Sequence, residues 1–349
     1  MLSTSFSGVG CAESAAISIQ AAAQRFAPGC GVVITSACEI DPACQKVLQE
    51  TYGDQQCIFP DITKIDMSKQ RGFCKRHNRM CELQPGNFGD MPQEFHRGPV
   101  CVDYSLMGRQ MKERGPSYQC HKSYFENMKK SKNSIVIIEN VCEYSEGLIR
   151  RELGAHWDLV SVRMDPRNLG LPCCRSRLFV ICWKPKEVRW ASPFRLECFV
   201  SYLLAQVAMT ASDYFYKDLP RAKLTPSAES NLNDYKRDTR FQFPDLNQLC
   251  GNKRARGESR DNCLPTLTTN SGRIFSQAHG RYLDPEEALS SHCLPVTRKQ
   301  ARDSSSVMLR LGDTSRTAQT RMAGNAMSVP CIGAVIMCAA LGLEKIPPK

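Results

Sequence analysis

The chain lacks an apolar run long enough to span a bilayer. Its first residues, Met1-Leu2-Ser3-Thr4-Ser5-Phe6, carry neither the basic flank nor the apolar core of a secretory signal. Internal repeats and low-complexity tracts are missing too, which excludes solenoid and fibrous architectures. Acid is in the minority: 35 Asp and Glu against 46 Lys and Arg leave a net charge of +11 and a pI near 8.9, pointing to a polyanionic partner. No complete Gly-x-Gly-x-x-Gly occurs, because Glu13 stands at the third glycine position after Gly8 and Gly10, and this argues against a dinucleotide. Cys74-x-x-His77-x-x-x-Cys81, with Cys57 or His96 as candidate fourth ligand, has metal-like spacing but no second close pair beside it. From spacing alone, no metal is expected. Together these absences predict a soluble intracellular protein, nuclear if eukaryotic and cytoplasmic otherwise, with no membrane contact, acting as a monomer.

What is present is ordinary globular material. The 349 residues are 42% hydrophobic and 23% charged, enough to bury a full core in one large domain with a smaller companion. The 19 cysteines are scattered, odd in number and often set in apolar runs (Cys38, Cys182, Cys331, Cys338), so they read as buried reduced thiols. Positive residues gather in three groups: Lys69 to Arg79, Arg109 to Lys132, and Lys253 to Arg260. Any one group reads as solvated surface, but three of them favour phosphate contacts.

Apolar strands alternate with helices. A helix is expected from about Ala12 to Phe26, a buried strand over Val32-Val33-Ile34-Thr35, and a helix opened by Asp41-Pro42 and stopped at Gly53. Ile58-Phe59, Ile135 to Ile138 and Leu178 to Ile181 read as further strands. This pattern predicts an α/β fold with a doubly wound, Rossmann-like parallel sheet, whose ligands sit beyond the carboxyl ends of the strands. Residues 1–184 are assigned to that domain, 185–320 to a smaller irregular domain, and 321–349 to a segment returning to the first. A helix near Phe199–Met209, a basic loop at Asn252–Asn262, a short helix at Pro285–Ser291 capped by Asp284, and a last apolar helix near Cys331–Leu343 complete the expectation.

Several polar residues fall at strand ends. Phe6-x-Gly8-x-Gly10 opens a turn that lets backbone approach a ligand and sets an aromatic against a flat ring. Glu39 at the end of the second strand suits ribose hydroxyls, and Asp61 an adenine amino group. Cys101 follows the Gly98-Pro99-Val100 turn; alone it would pass for one more buried thiol. Glu139 ends the clearest strand, and Arg175 and Arg177 flank the start of the next.

In order along the chain, Phe6 to Gly10, Glu39-Ile40-Asp41, Asp61-Ile62-Thr63, Gly98 to Cys101, Glu139-Asn140-Val141, Pro172 to Arg177 and Gly324-Asn325-Ala326 resemble the motifs of the cytosine-C5 DNA methyltransferase family. Pro265 to Thr268 and Arg281 to Ala288 look like its late motifs. The resemblance implies S-adenosylmethionine as cofactor, held by Phe6, Gly8, Gly10, Glu39, Ile40, Asp61, Ile62 and Asn325. It implies Cys101 as nucleophile toward a flipped-out cytosine, Glu139 as proton handler, and Arg175, with Arg177, as clamp on the base and on Glu139. Duplex DNA is the implied partner, with the target read by the irregular region. Methylation of structured RNA such as tRNA, and a silent DNA-binding homologue, are the alternatives. The family places Pro before the cysteine and usually Gln after it, whereas this chain has Val100 and Val102.

Overall fold

Runs of β-branched residues, each followed by a helix-forming segment, build one central sheet. The computed structural model describes residues 2–25, 32–53, 56–83, 93–96 (backbone only), 101, 103–105, 108–191, 209–237, 241–251, 262–270 and 272–347. Gly98-Pro99-Val100, Val102, nearly all of the helix expected near 199–209 and of the basic loop at 252–262 therefore lie outside the described residues.

The sheet contains β1 (Leu2–Ser5), β2 (Ile34–Cys38), β3 (Cys57–Phe59), β6 (Gln93–His96), β7 (Ile135–Val141), β8 (Asp158–Met164) and β9 (Arg177–Trp183), in the order β3-β2-β1-β6-β7-β9-β8. A small antiparallel hairpin, β4 (Arg71–Cys74) and β5 (Arg79–Glu82), stands outside it. Order runs outward from β1 in one direction and from β6 in the other, so the switch point lies between them. All neighbours from β3 to β7 pair in parallel, but β9 runs antiparallel to both β7 and β8. The expectation of a wholly parallel sheet is corrected there: β9 reverses because the turn between Met164 and Arg177 brings the chain straight back beside β8.

Helix α1 (Cys11–Ala23) and α2 (Pro42–Thr51) follow β1 and β2. The α2 start is as the sequence suggests: Asp41 accepts from Ala43 N at 2.9 Å and Pro42 occupies the first turn. Helices α3 (Tyr118–Lys130) and α4 (Glu146–Leu153) cover β7. Farther on come α5 (Pro226–Lys236), α6 (Pro285–Ser290), α7 (Arg298–Asp303), α8 (Arg316–Asn325) and α9 (Val329–Gly342). Apolar α9 packs on α1, and Gly333 brings it against Ala15. Of the most apolar window in Arg316–Gly342, 67% is buried within the fold, as befits a core helix.

One hydrophobic core joins Val9, Ala12, Ile137, Phe179 and Ile181 to Leu267, Leu289, Leu309 and Val335, so part of residues 185–320 packs into the main core. Leu232, Tyr235, Phe241, Leu246 and Phe275 form a separate small core in the later half. The segment Arg281 to Ala288 has an architectural role: Arg281 donates to both carboxylate oxygens of buried Glu287, and Asp284 and Glu287 make a capping box on α6.

Candidate active site

The carboxyl ends of β1, β2 and β3 carry three acidic or aromatic turns. Phe6, immediately after β1, takes a left-handed φ of 55° and sets its ring edge-on to Tyr124 at 5.9 Å. Gly10, with φ 85°, caps α1. A Cβ there would lie 2.3 Å from the Tyr52 ring, whose hydroxyl donates to Gly10 O at 2.7 Å, so only glycine fits. Glu39 accepts from Gly8 N at 2.7 Å and from Asp41 N at 2.9 Å, which locks its carboxylate to the β1 turn. Beside it, Ile40 is 71% exposed, an unusual position for a large aliphatic side chain. Asp61 caps the short turn Ile62–Lys64 through Thr63 N at 2.9 Å, while Ile62 is buried. Arg321 on α8 pairs with Asp41 at 2.7 Å and so ties the helix that ends in Asn325 to this edge. Asn325 itself is exposed; its neighbour Gly324 is the residue in close contact, since a Cβ there would meet the Thr268 backbone at 2.2 Å.

Cys101 follows β6 on the other side of the switch point and is half-buried. Its carbonyl accepts from Tyr104 N at 2.9 Å and Ser105 N at 2.8 Å, forming a tight turn. Asp103, which belongs to none of the motifs named from the sequence, organises what comes next. Its buried carboxylate accepts from Arg109 Nε at 2.8 Å and Ser117 N at 3.0 Å, and Gly115 packs directly on it. The Ser117 hydroxyl, with the Arg109 charge after it, holds this carboxyl below its ordinary value. Next to Cys101, His121 and Tyr144 stack, Tyr104 packs tilted against both, and His121 Nδ1 shares a hydrogen bond of 2.9 Å with the Tyr144 hydroxyl.

Glu139 lies near the end of β7 and is almost wholly buried. Arg177, the first residue of the adjacent β9, places Nε 3.2 Å from Glu139 Oε1. The motif pattern puts Arg175 ahead of Arg177 as the clamp; the 3.2 Å ion pair with Glu139 is made by Arg177. Arg175 is buried with its guanidinium on Leu267 O at 3.1 Å and Gly324 O at 3.2 Å, and its amide on Asp165 at 3.1 Å. These bonds stitch the late motifs to the sheet.

Two further groups stand apart from the motifs. Glu13, in the first turn of α1, is fully buried; burial pushes its carboxyl up from 4.5 to about 7, against the lowering effect of the hydrogen bond from Thr4. The second group is metal-like. Cys57, Cys74, His77 and Cys81 bring their donor atoms within 4.8 Å of one another, so the structure supplies Cys57, one of the two fourth donors offered by the sequence, at a place where spacing alone predicts no metal; the His96 side chain lies outside the described residues.

The strand ends about the switch point thus carry carboxylates and an exposed aliphatic group after β1, β2 and β3, and a thiol and a buried Glu–Arg pair after β6 and along β7 and β9. Solved structures with this arrangement of elements include a methyltransferase of Entamoeba histolytica, matched over 97% of this chain and 98% of that one at 15% identity and TM-score 0.58. A putative DNA modification methyltransferase encoded within an Escherichia coli prophage matches over 98% of both chains at 14% identity and TM-score 0.61. The Dnmt2 methyltransferase of S. pombe matches over 97% and 98% at 14% identity and TM-score 0.56. In sequence, a DNA (cytosine-5-)-methyltransferase of Cryptococcus neoformans, DMT5, is 24% identical over 182 residues. The chain resembles cytosine-C5 methyltransferases in sequence over part of its length and in fold over nearly all of it. The matched region covers 45% of this chain and 7% of the length of that fungal relative. No protein-family model matches it.

Proposed function

We propose that the chain is an S-adenosylmethionine-dependent methyltransferase that adds a methyl group to C5 of cytosine in DNA, with Cys101 as nucleophile. The observation that carries this reading is the buried Glu139–Arg177 pair at the strand ends that also present the Cys101 turn. A nucleophile, a carboxyl group and a guanidinium at one switch-point cleft suit attack on a polar ring.

The cofactor side fits an adenosine without phosphates. Phe6, Glu39, Ile40, Asp61 and Ile62 supply carboxylate acceptors for hydroxyl and amino groups and apolar faces for a flat base, with no cation among them. When bound, the sulfonium supplies an electrophilic methyl group. The protein does the rest. The Cys101 thiolate adds to C6 and pushes ring electrons to C5, which becomes nucleophilic. Glu139 meets N3 and the 4-amino group and holds a proton there as charge builds. Arg177 fixes that carboxyl group and reaches toward the base carbonyl. C5 takes the methyl group and leaves a neutral thioether behind; solvent then takes the C5 proton, and Cys101 departs as thiolate while the C5–C6 double bond re-forms.

A base stacked in duplex DNA exposes neither ring face, so it must be swung out. The exposed Lys112, Arg114 and Lys122 beyond Cys101 suit contacts to the flanking phosphates. Residues 185–320 would carry the target-reading surface.

DNA bearing 5-fluorocytosine tests the reading, because fluorine at C5 blocks the elimination and traps the adduct. A denaturation-resistant complex is expected with the native chain and none with Cys101→Ala; a complex that survives the substitution overturns the mechanism. In competition, preferred labelling of tRNA over duplex DNA would reassign the substrate to RNA. Salt-dependent DNA binding without any transfer would mark a silent homologue.

A further inference from the structure

We infer that Cys57, Cys74, His77 and Cys81 hold a structural zinc ion, a site separate from the catalytic cleft and independent of the reaction proposed for it. His77 Nδ1 lies 3.3 Å from Cys74 Sγ, 3.5 Å from Cys81 Sγ and 3.6 Å from Cys57 Sγ. One imidazole nitrogen carries a single proton or a single lone pair, so it cannot satisfy three thiols at once. A central cation can. With Zn–S about 2.3 Å and Zn–N about 2.0–2.1 Å, the sulfur-to-nitrogen edge of a tetrahedron is about 3.5 Å and the sulfur-to-sulfur edge about 3.8 Å. The three sulfur-to-nitrogen separations match the first figure, and all four donor atoms lie within 4.8 Å of one another.

The donor set selects the metal. Three thiolates and one imidazole in a closed tetrahedron suit zinc, and four protein ligands leave no open position for catalysis. The described cysteines are free thiols, so none of the four donors is spent in a disulfide. Binding converts three thiols to thiolates and releases their protons, giving a centre of net charge −1.

The site has an architectural task. Cys74, His77 and Cys81 belong to the β4–β5 hairpin and its turn, whereas Cys57 begins β3 of the main sheet. A two-stranded hairpin is marginal by itself, and its cross-strand pair Phe73–Met80 is exposed. The metal would rivet the hairpin to β3, alongside the hydrogen bonds from Ile58 N to Cys74 Sγ at 3.3 Å and from Lys75 N to Ile58 O at 2.8 Å. From there Arg76 donates to the Leu48 and Gln49 carbonyls at the end of α2, and Lys75 reaches Gln45, which donates to Glu39 O at 2.6 Å. Lys75 and Arg76, grouped in the sequence with phosphate-binding candidates, here tie the hairpin to α2 beside the anionic centre.

Metal analysis of the full chain, purified without chelator, tests this directly. About one equivalent of zinc is expected, and cobalt exchanged into the site should give the intense visible bands of a tetrahedral thiolate complex. Cys74→Ser and Cys81→Ser should each lose the metal and melt at lower temperature, whereas Cys120→Ser, outside the cluster, should keep it. His77→Cys makes a four-thiolate site and should retain zinc while shifting the cobalt bands, which keeps the test decisive if a serine variant fails to fold. A cooperatively folded native chain with no zinc and no cobalt bands overturns the site, as does full zinc occupancy in both serine variants. Neither result depends on methyl transfer.

Discussion

Arg177 Nε sits 3.2 Å from Glu139 Oε1, with both side chains largely closed off from solvent, at adjoining ends of two antiparallel strands. A charge-assisted contact in such surroundings positions the carboxyl group as well as balancing its charge. Arg177→Ala should lower the single-turnover rate by about 10²–10³, the usual loss for one electrostatic donor at a reacting site. Arg177→Lys keeps the charge but not the planar fork, and an intermediate rate is expected. Rates measured well below the melting temperature separate this from unfolding; a native rate in Arg177→Ala would remove Arg177 from the chemistry.

Gly115 is held against Asp103 so closely that a Cβ would lie 2.1 Å from the carboxylate carbon. Gly115→Ala must push Asp103 away from Ser117 and Arg109, at a cost of about 1–3 kcal/mol. Because the damage passes through one carboxylate, the two positions should couple. In an Asp103→Ala background the same Gly115→Ala substitution should cost much less, which a double-mutant cycle by urea unfolding will read. Additive effects would show that Asp103 does not organise the segment beyond Cys101.

Arg175 is expected to matter for stability and little for chemistry. Its buried guanidinium serves two carbonyls, and charged hydrogen bonds of this kind contribute about 1.5–3 kcal/mol each, so Arg175→Met should destabilise by about 3 kcal/mol or more. The urea midpoint should fall with an unchanged slope. The rate per folded molecule should stay near native, in contrast to Arg177→Ala.

The contrast between these two arginines shows where sequence reasoning stops. They are two residues apart, identical in type and both in a matched motif; only the partner strands and the late segments set Arg177 beside Glu139 and Arg175 on the Leu267 and Gly324 carbonyls. Elsewhere the local signal is enough. Asp41-Pro42 announces the start of α2, and Ile135 to Ile138 announces β7, because capping chemistry and β-branched burial are local properties. The strand Asp158–Met164 is not legible in the sequence, since its edge position lets polar and exposed residues interrupt the apolar pattern. The direction of β9 is likewise a tertiary outcome. The Cys74–His77–Cys81 spacing is local, but the choice of Cys57 over His96 as fourth ligand is settled only by the packing of β3 against the hairpin.

Glu13 makes stability pH-dependent in a direction opposite to that of most carboxylates. Its carboxyl is pushed up from 4.5 to about 7 chiefly by burial, so the folded chain keeps a proton that the unfolded chain releases earlier. Between those two values the unfolded state binds fewer protons, and stability falls as pH rises. The contribution is complete below about pH 4.5 and is lost once the pH passes about 7. Each tenfold gain in proton affinity on folding is equivalent to about 1.4 kcal/mol, so the whole effect is about 3 kcal/mol. Glu13→Gln keeps an oxygen to accept from Thr4 and cannot ionise. Urea unfolding at about pH 5 and about pH 8 should therefore show a marked loss for the native chain and, by comparison, a loss smaller by about 3 kcal/mol for Glu13→Gln. Parallel pH profiles for the two proteins would mean that Glu13 ionises normally and that water reaches it beneath the β1 turn.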